Sequence, residues 1–214
     1  AWVVPAASKE VLSWFAEEKI PTFAIAGRRF GLPIAGTGPD KAKAETAATR
    51  HLIGLGHRRI SYLCRRQHRL PKPGRTMRAC LDELEAAGIR TGEFNLPDWD
   101  ESSDGFARVL DALFQHTPPT ALVLDEPMLY HAAYHHLARR GLKVPDDVSL
   151  VCAEWDPGLA WCRPTVAHVD WDYRPVVNRV VRWANNVSRG RDDRRQSFSK
   201  ATFVEGGSVG PAKK

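Results

Sequence analysis

Three short runs place paired acids at the ends of apolar stretches, twice with a tryptophan between them. Glu154-Trp155-Asp156 follows Val148 to Cys152, Asp170-Trp171-Asp172 follows Val166 to Val169, and Asp125-Glu126 follows Ala121 to Leu124. Carboxylates accept paired hydroxyl hydrogen bonds, and an indole face packs on the C–H side of a ring. Together they suit a carbohydrate-like ligand. Basic groups occupy comparable places: Arg28 just after Thr22 to Ala26, and Arg75 beyond the loop that follows Ile60 to Cys64. The acid pairs could also exchange protons, but no base with an adjacent orienting partner can be picked out. No Gly-x-Ser-x-Gly elbow occurs, which disfavours an α/β-hydrolase. Binding rather than catalysis is the expectation, with no cofactor.

Other motifs carry less. "GTGPDK" from Gly36 lacks both the third glycine and the Gly-Lys-Ser/Thr ending of a phosphate loop. His131 and His135 stand one helical turn apart, a spacing that can hold a metal. No glutamate lies between them in the metalloprotease arrangement, and a helix face with partly exposed imidazoles is the plainer reading. Cys64, Cys80, Cys152 and Cys162 show no CxxC pairing and sit mostly in apolar patterns, as small buried thiols of a reducing compartment do.

The elements that must position these residues alternate in type. Short apolar runs at Trp2 to Val4, Thr22 to Ala26, Ile60 to Cys64, Ala121 to Leu124, Val148 to Cys152, Val166 to Val169 and Ala201 to Glu205 read as strands, with another short one near Phe94. Between them lie segments of helical period. Ser8 caps a helix to about Lys19, and others run over 41–53, 75–87, 103–115, 128–140 and 174–188. Residues 31–39, rich in Gly and Pro, read as a loop. Purely apolar short strands need both sheet faces covered, which is the parallel α/β pattern. In such sheets ligands sit outside the carboxyl ends of the strands. The acids, tryptophans and arginines named above all fall there.

The bulk numbers agree with a globular protein. The 214 residues suffice for one large domain or two lobes, and 43% hydrophobic with 26% charged is ordinary composition. No apolar run approaches the roughly 18 to 20 residues that span a bilayer. The start, "AWVVPAASKE", shows no basic segment followed by an apolar stretch and no methionine; a cytoplasmic location is expected. The net charge of +6 concentrates in Gly56 to Arg75 and Ser188 to Arg195. These segments read as solvated loops and helix ends. With no zinc finger and no helix-turn-helix pattern, direct sequence-specific DNA reading by this chain is not expected.

"AETAATRHLIGLGHRRISYL" (Ala44 to Leu63) resembles the helix–Gly-His-Arg-Arg-Ile–strand segment in the effector-binding core of lactose/galactose-repressor-type transcription regulators. "PTALVLDEPMLYHAAYHHLARRGLKVPDDVSLVCAEWD" (Pro119 to Asp156) is similar to the strand, helix and Val-Pro-x-Asp-Val-Ser connection of the same core. "FVEGGSVGP" (Phe203 to Pro211) is similar to its terminal strand and tail. The resemblance runs from about residue 1 to 211. It implies a two-lobed periplasmic-binding-protein-like fold with doubly wound parallel sheets, here lacking the family's first strand and helix. It also implies lobes of 1–39 plus 170–197 and of 40–169 plus 198–214. Such cores close on a small effector, usually a sugar or sugar derivative, form homodimers, and act on operator DNA through a domain not contained in this chain. The alternative is the solute-binding protein of a sugar importer, which would carry a secretion leader.

The cleft positions transfer from the family while the residue types do not. Glu126-Pro127 stands where the family usually has Asn-Asp, and Cys152-Ala153-Glu154-Trp155 where it has Gly-Phe-Asp-Asp. Its effector arginine falls at Thr76, with Arg75 beside it and Ala79 in place of a glycine; its Asp-Arg falls at Gly27-Arg28. The resemblance thus implies an effector site of Arg75, Glu126, Glu154, Asp170, Arg28 and Trp171, whose residue types depart from those that hold a standard family sugar. Loss of Asn-Asp also resembles regulators that carry this core behind a GntR-type winged-helix domain.

Overall fold

The computed structural model describes residues 1–213. The chain divides into two compact units, residues 1–40 with 171–201 and residues 41–170 with 202–213, and passes between them after Asp40, Asp170 and Ala201.

The smaller unit holds a parallel sheet in the order β1 (Trp2–Pro5), β2 (Thr22–Ile25), β3 (Ala35–Thr37), with helices α1 (Lys9–Glu17) and α7 (Arg174–Ser188). Successive strand residues face opposite sides. Ala24 accordingly packs with Leu12 of α1 and with Ile34, while Phe23 packs with Ala35 and Trp183 of α7. Ser8 caps α1, its hydroxyl accepting from the Val11 amide. β1 pairs with β2 over four residues and β2 with β3 over three, so the sheet is continuous across these strands.

A short strand β4 (Pro39–Asp40) pairs with the start of β9 (Ser199–Val204). Residues 31–39 are therefore not the uniform loop expected. Their glycines hid two strands, because Gly36 serves close approach rather than turning: a Cβ there would lie 2.7 Å from the Ala24 carbonyl oxygen.

The larger unit is built on β5 (Ile60–Leu63), β6 (Ala121–Leu124), β7 (Ser149–Cys152) and β8, which spans Ala167–Trp171 and whose last residue begins the smaller unit. Their order is β8-β7-β6-β5, with β9 beyond β8; the β5–β6, β6–β7 and β7–β8 pairs are parallel. One face is covered by α2 (Lys41–Gly54) and α4 (Arg75–Ala86): Ala48, Leu52, Cys80 and Leu84 pack on Ile60, Tyr62, Val123 and Val151. The other is covered by α5 (Ser103–Leu113) and α6 (Pro127–Arg139): Phe106, Leu110, Tyr130 and Leu137 pack on Leu63, Leu122, Leu124 and Leu150. Helices on both faces explain the uniformly apolar strands.

Two further expectations are corrected. The segment near Phe94 is a turn, not a strand. It edges β5 through few bonds, with the Asn95 backbone carbonyl accepting from Tyr62 N at 2.7 Å and the Asn95 side-chain Nδ2 donating to the Ile60 carbonyl. Polar Asn95 thereby completes the strand edge without a ladder. Asp170 and Trp171 lie inside β8 rather than after it. Cys64, Cys80 and Cys152 are buried, Cys162 is half-buried, and all four are free thiols; burial pushes Cys152 up to about 12. No described helix is long and apolar enough to cross a membrane.

Candidate functional site at the carboxyl ends of the larger sheet

Five segments bring charge to one end of the larger unit. They are the first turn of α2, the residues after β5, β6 and β7, and the short helix α3 (Arg66–Arg69). α2 presents Lys41, Glu45, Ala48, Thr49 and Leu52 at helical spacing, and the last four are buried. Lys41 at the head of this stripe forms an ion pair with Glu154, joining Nζ to Oε2. Burial disfavours its ammonium, yet the charges of Glu154, Glu45 and Asp125 outweigh that, and its pKa is raised.

Glu45 is only 3% exposed, and its Oε2 has no hydrogen-bond partner among the described residues. Burial, opposed by Lys41 and reinforced by Asp125, pushes its carboxyl up to about 8. Burial thus favours the protonated form of this side chain, which can donate as well as accept.

Asp125 is the hub. Its backbone amide donates to the Leu63 carbonyl at 3.1 Å, fixing the turn after β6 against the end of β5. Its Oδ2 accepts from Arg65 N at 3.1 Å and lies 2.8 Å from His68 Nδ1. Burial opposes both charges, but the pair prevails: Asp125 is lowered by His68, Lys41 and the Arg65 amide, and His68 is raised by Asp125. Arg65 then forks onto Glu126, Nε to Oε1 at 2.9 Å and Nη2 to Oε2 at 2.7 Å, the bidentate geometry that guanidinium favours. Arg69, buried beneath, donates to the Cys64 and Trp99 carbonyls and to Asp98, its guanidinium 5.1 Å over the Trp99 ring. Trp155 stacks on His168 with centroids 4.6 Å apart.

Of the residues marked from sequence, Glu126 and Glu154 stand in this cluster, half-buried and ion-paired. Arg75 opens α4 after Gly74 and is exposed; Asp170 is the penultimate residue of β8 and half-buried. Arg28 and Trp171 belong to the smaller unit. Arg28 follows Gly27, whose φ of +67° and approach to the Ala7 carbonyl admit no side chain, and its amide donates to that carbonyl. Trp171 packs on Tyr173 at 4.0 Å.

Sequence reasoning passed over Lys41 and Glu45, and it marked the loop from Arg65 to Gly74 without choosing Arg65 or His68 within it. The signal for Glu45 was its place on the Ala48-Thr49-Leu52 stripe of α2. The helix face with His131 and His135 behaves as expected: His131 rests edge-on against Tyr130 and His135 against Tyr134.

These parallel, helix-covered sheets are those of a periplasmic-binding-protein-like fold. The family model of the periplasmic binding protein-like domain matches residues 49–209, and the chain belongs to that family. It is similar to the HTH-type transcriptional regulator DegA of Bacillus subtilis, 26% identical over 191 residues, covering 89% of this chain and 56% of DegA. The chain thus spans little more than half the length of that relative. Among solved structures it is similar to a transcription regulator from Lactobacillus plantarum, at 21% identity and TM-score 0.79, covering 98% of this chain and 80% of the other. It is also similar to a LacI family transcriptional regulator from Enterococcus faecium with bound ribose, at 14% identity and TM-score 0.75, covering 96% and 76%.

Proposed function

We propose that this chain is the effector-binding and dimerising core of a LacI-type transcriptional regulator, and that the polar carboxyl end of the larger sheet receives a sugar or sugar derivative. The observation that carries this reading is the convergence of Lys41–Glu154, Arg65–Glu126 and the buried acid Glu45 at the carboxyl end of the larger sheet. Likeness to DegA over most of the chain supports the regulator reading, and the ribose of the Enterococcus faecium relative supports the ligand class.

The role is binding rather than catalysis. Glu126, Glu154 and Asp170, all of the larger unit, accept from ligand hydroxyls, and Arg75 of the same unit donates to the ligand. Occupancy shifts the population between two states of the core. A homodimer passes that shift, in the cytoplasm, to a separate domain that contacts operator DNA. A thermal-shift screen of neutral sugars, sugar acids and sugar phosphates tests this. At least one should raise the melting temperature of the native chain and lose that effect in Glu154→Ala. A flat response across all three classes contradicts the reading.

A further inference from the structure

The opposite, amino end of the same strands holds a cavity of about 330 Å³, the size at which small-ligand pockets begin. Its walls are apolar where Phe114, Pro118, Pro119, Leu142 and Val148 meet. Arg59, Arg140, Lys213 and Asp147 charge its rim. Arg59 immediately precedes β5 and Arg65 follows it, so six residues of extended chain, roughly 20 Å, separate this cavity from the carboxyl-end cluster.

The rim charges are not equally committed. Asp147 accepts from the Lys143 amide and pairs with Lys213, while Arg140 pairs with Asp111 through Nη1. Arg59 donates only Nε, to the Pro118 carbonyl at 2.7 Å; its Nη1 and Nη2 meet no acceptor among the described residues. The wall behind is fixed. Thr120 Oγ1 is 2.9 Å from His57 Nδ1, and the other nitrogen of that buried ring is 2.9 Å from the Gly210 carbonyl oxygen. A guanidinium whose two terminal nitrogens are unspent, held at the mouth of a pocket lined in part by apolar side chains, suits two anionic oxygens in plane on an apolar body.

We propose that this cavity is a second small-molecule site, separate from the effector site, for a compact aromatic or similarly flat carboxylate. Arg59 fixes the anion, and Phe114 and Val148 cover the apolar part.

Titration of the isotopically labelled chain with benzoate, followed by amide NMR, tests it. Benzoate should give saturable shifts at residues 59, 114, 120 and 148. Arg59→Ala, at an exposed position, should weaken binding about ten-fold or more, as loss of charge-assisted hydrogen bonds does. Arg139→Ala, which removes a neighbouring charge outside the lining, should not. Benzyl alcohol keeps the ring without the charge and inorganic phosphate the charge without the ring; both should bind much more weakly. Unsaturated or dispersed shifts, unchanged affinity in Arg59→Ala, or equal binding of either control overturns the proposal.

Discussion

The two ends of the larger sheet differ in how fully their charges are paired. At the carboxyl end, Lys41, Arg65, His68, Asp125, Glu126 and Glu154 have already taken one another as partners. At the amino end, Arg59 donates once to a carbonyl and leaves the rest of its guanidinium toward a cavity. A ligand at the amino end adds contacts to a fixed wall. A ligand at the carboxyl end that engages the ion-paired side chains exchanges with an existing pair, which frees a side chain and the segment that carries it. Only the second kind of binding has a built-in means of changing the protein's state, because a ligand shifts an equilibrium only through different contacts in its two states.

The comparison is broken most directly at Glu45. Its pKa rises from 4.5 to about 8 on folding, so the native state binds more protons than the unfolded chain between those values. Its contribution to stability therefore falls as pH rises through that window, by at most about 1.4 kcal/mol per pH unit. Relative to the native chain, Glu45→Gln should gain stability progressively from pH 5 to 8, reaching a few kcal/mol by pH 8, about 4 at the upper limit. Urea melts at several pH values measure this. Parallel native and variant curves would remove the buried neutral acid from the account.

Asp125→Ala comes next. It strips a buried acceptor from His68 and the Arg65 amide, at a cost of about 2 to 3 kcal/mol. The pH window follows from the two shifts. Asp125 is lowered, so its share is present above about 3.8 and lost as pH falls through its folded value. His68 is raised, so its share is present below about 6.5 and lost as pH rises through its folded value. The difference between native and variant stability should thus peak between those pH values, again by denaturant titration.

Much of this contrast was hidden in the sequence. Strand ends are marked locally by apolar runs and by Pro and Gly, so Glu126 and Glu154 could be placed at the carboxyl edge and the α/β class read directly. Their partners could not: Arg65 and Lys41 lie 61 and 113 residues away, and nothing local pairs them. A composition rule also misled where β3 and β4 pass through a Gly- and Pro-rich stretch, since close backbone approach and turning use the same residue. Arg59, within a basic run, looked like every other solvated arginine until a cavity wall stood beside it.

Smaller effects sharpen the same comparison. Arg65→Ala removes a fork that is partly exposed at both partners, and screening by water limits the loss to about 1 kcal/mol or less. Salt-dependent melting of native and variant chains reads it. Arg59→Ala should change stability by less than about 0.5 kcal/mol, since its one carbonyl bond is exposed. A larger loss would mean that Arg59 is committed to the fold rather than to a ligand.

The central claim is that the effector acts at the carboxyl end. Hydrogen–deuterium exchange of the native chain, with and without the sugar-class compound that most raises its melting temperature, tests this directly. Protection should appear in the segments around Lys41, Arg65 to His68, Asp125 to Pro127 and Glu154, which carry the carboxyl-end ion pairs. Protection confined to the other end, around Arg59, Phe114 to Thr120 and Arg140 to Val148, would contradict it.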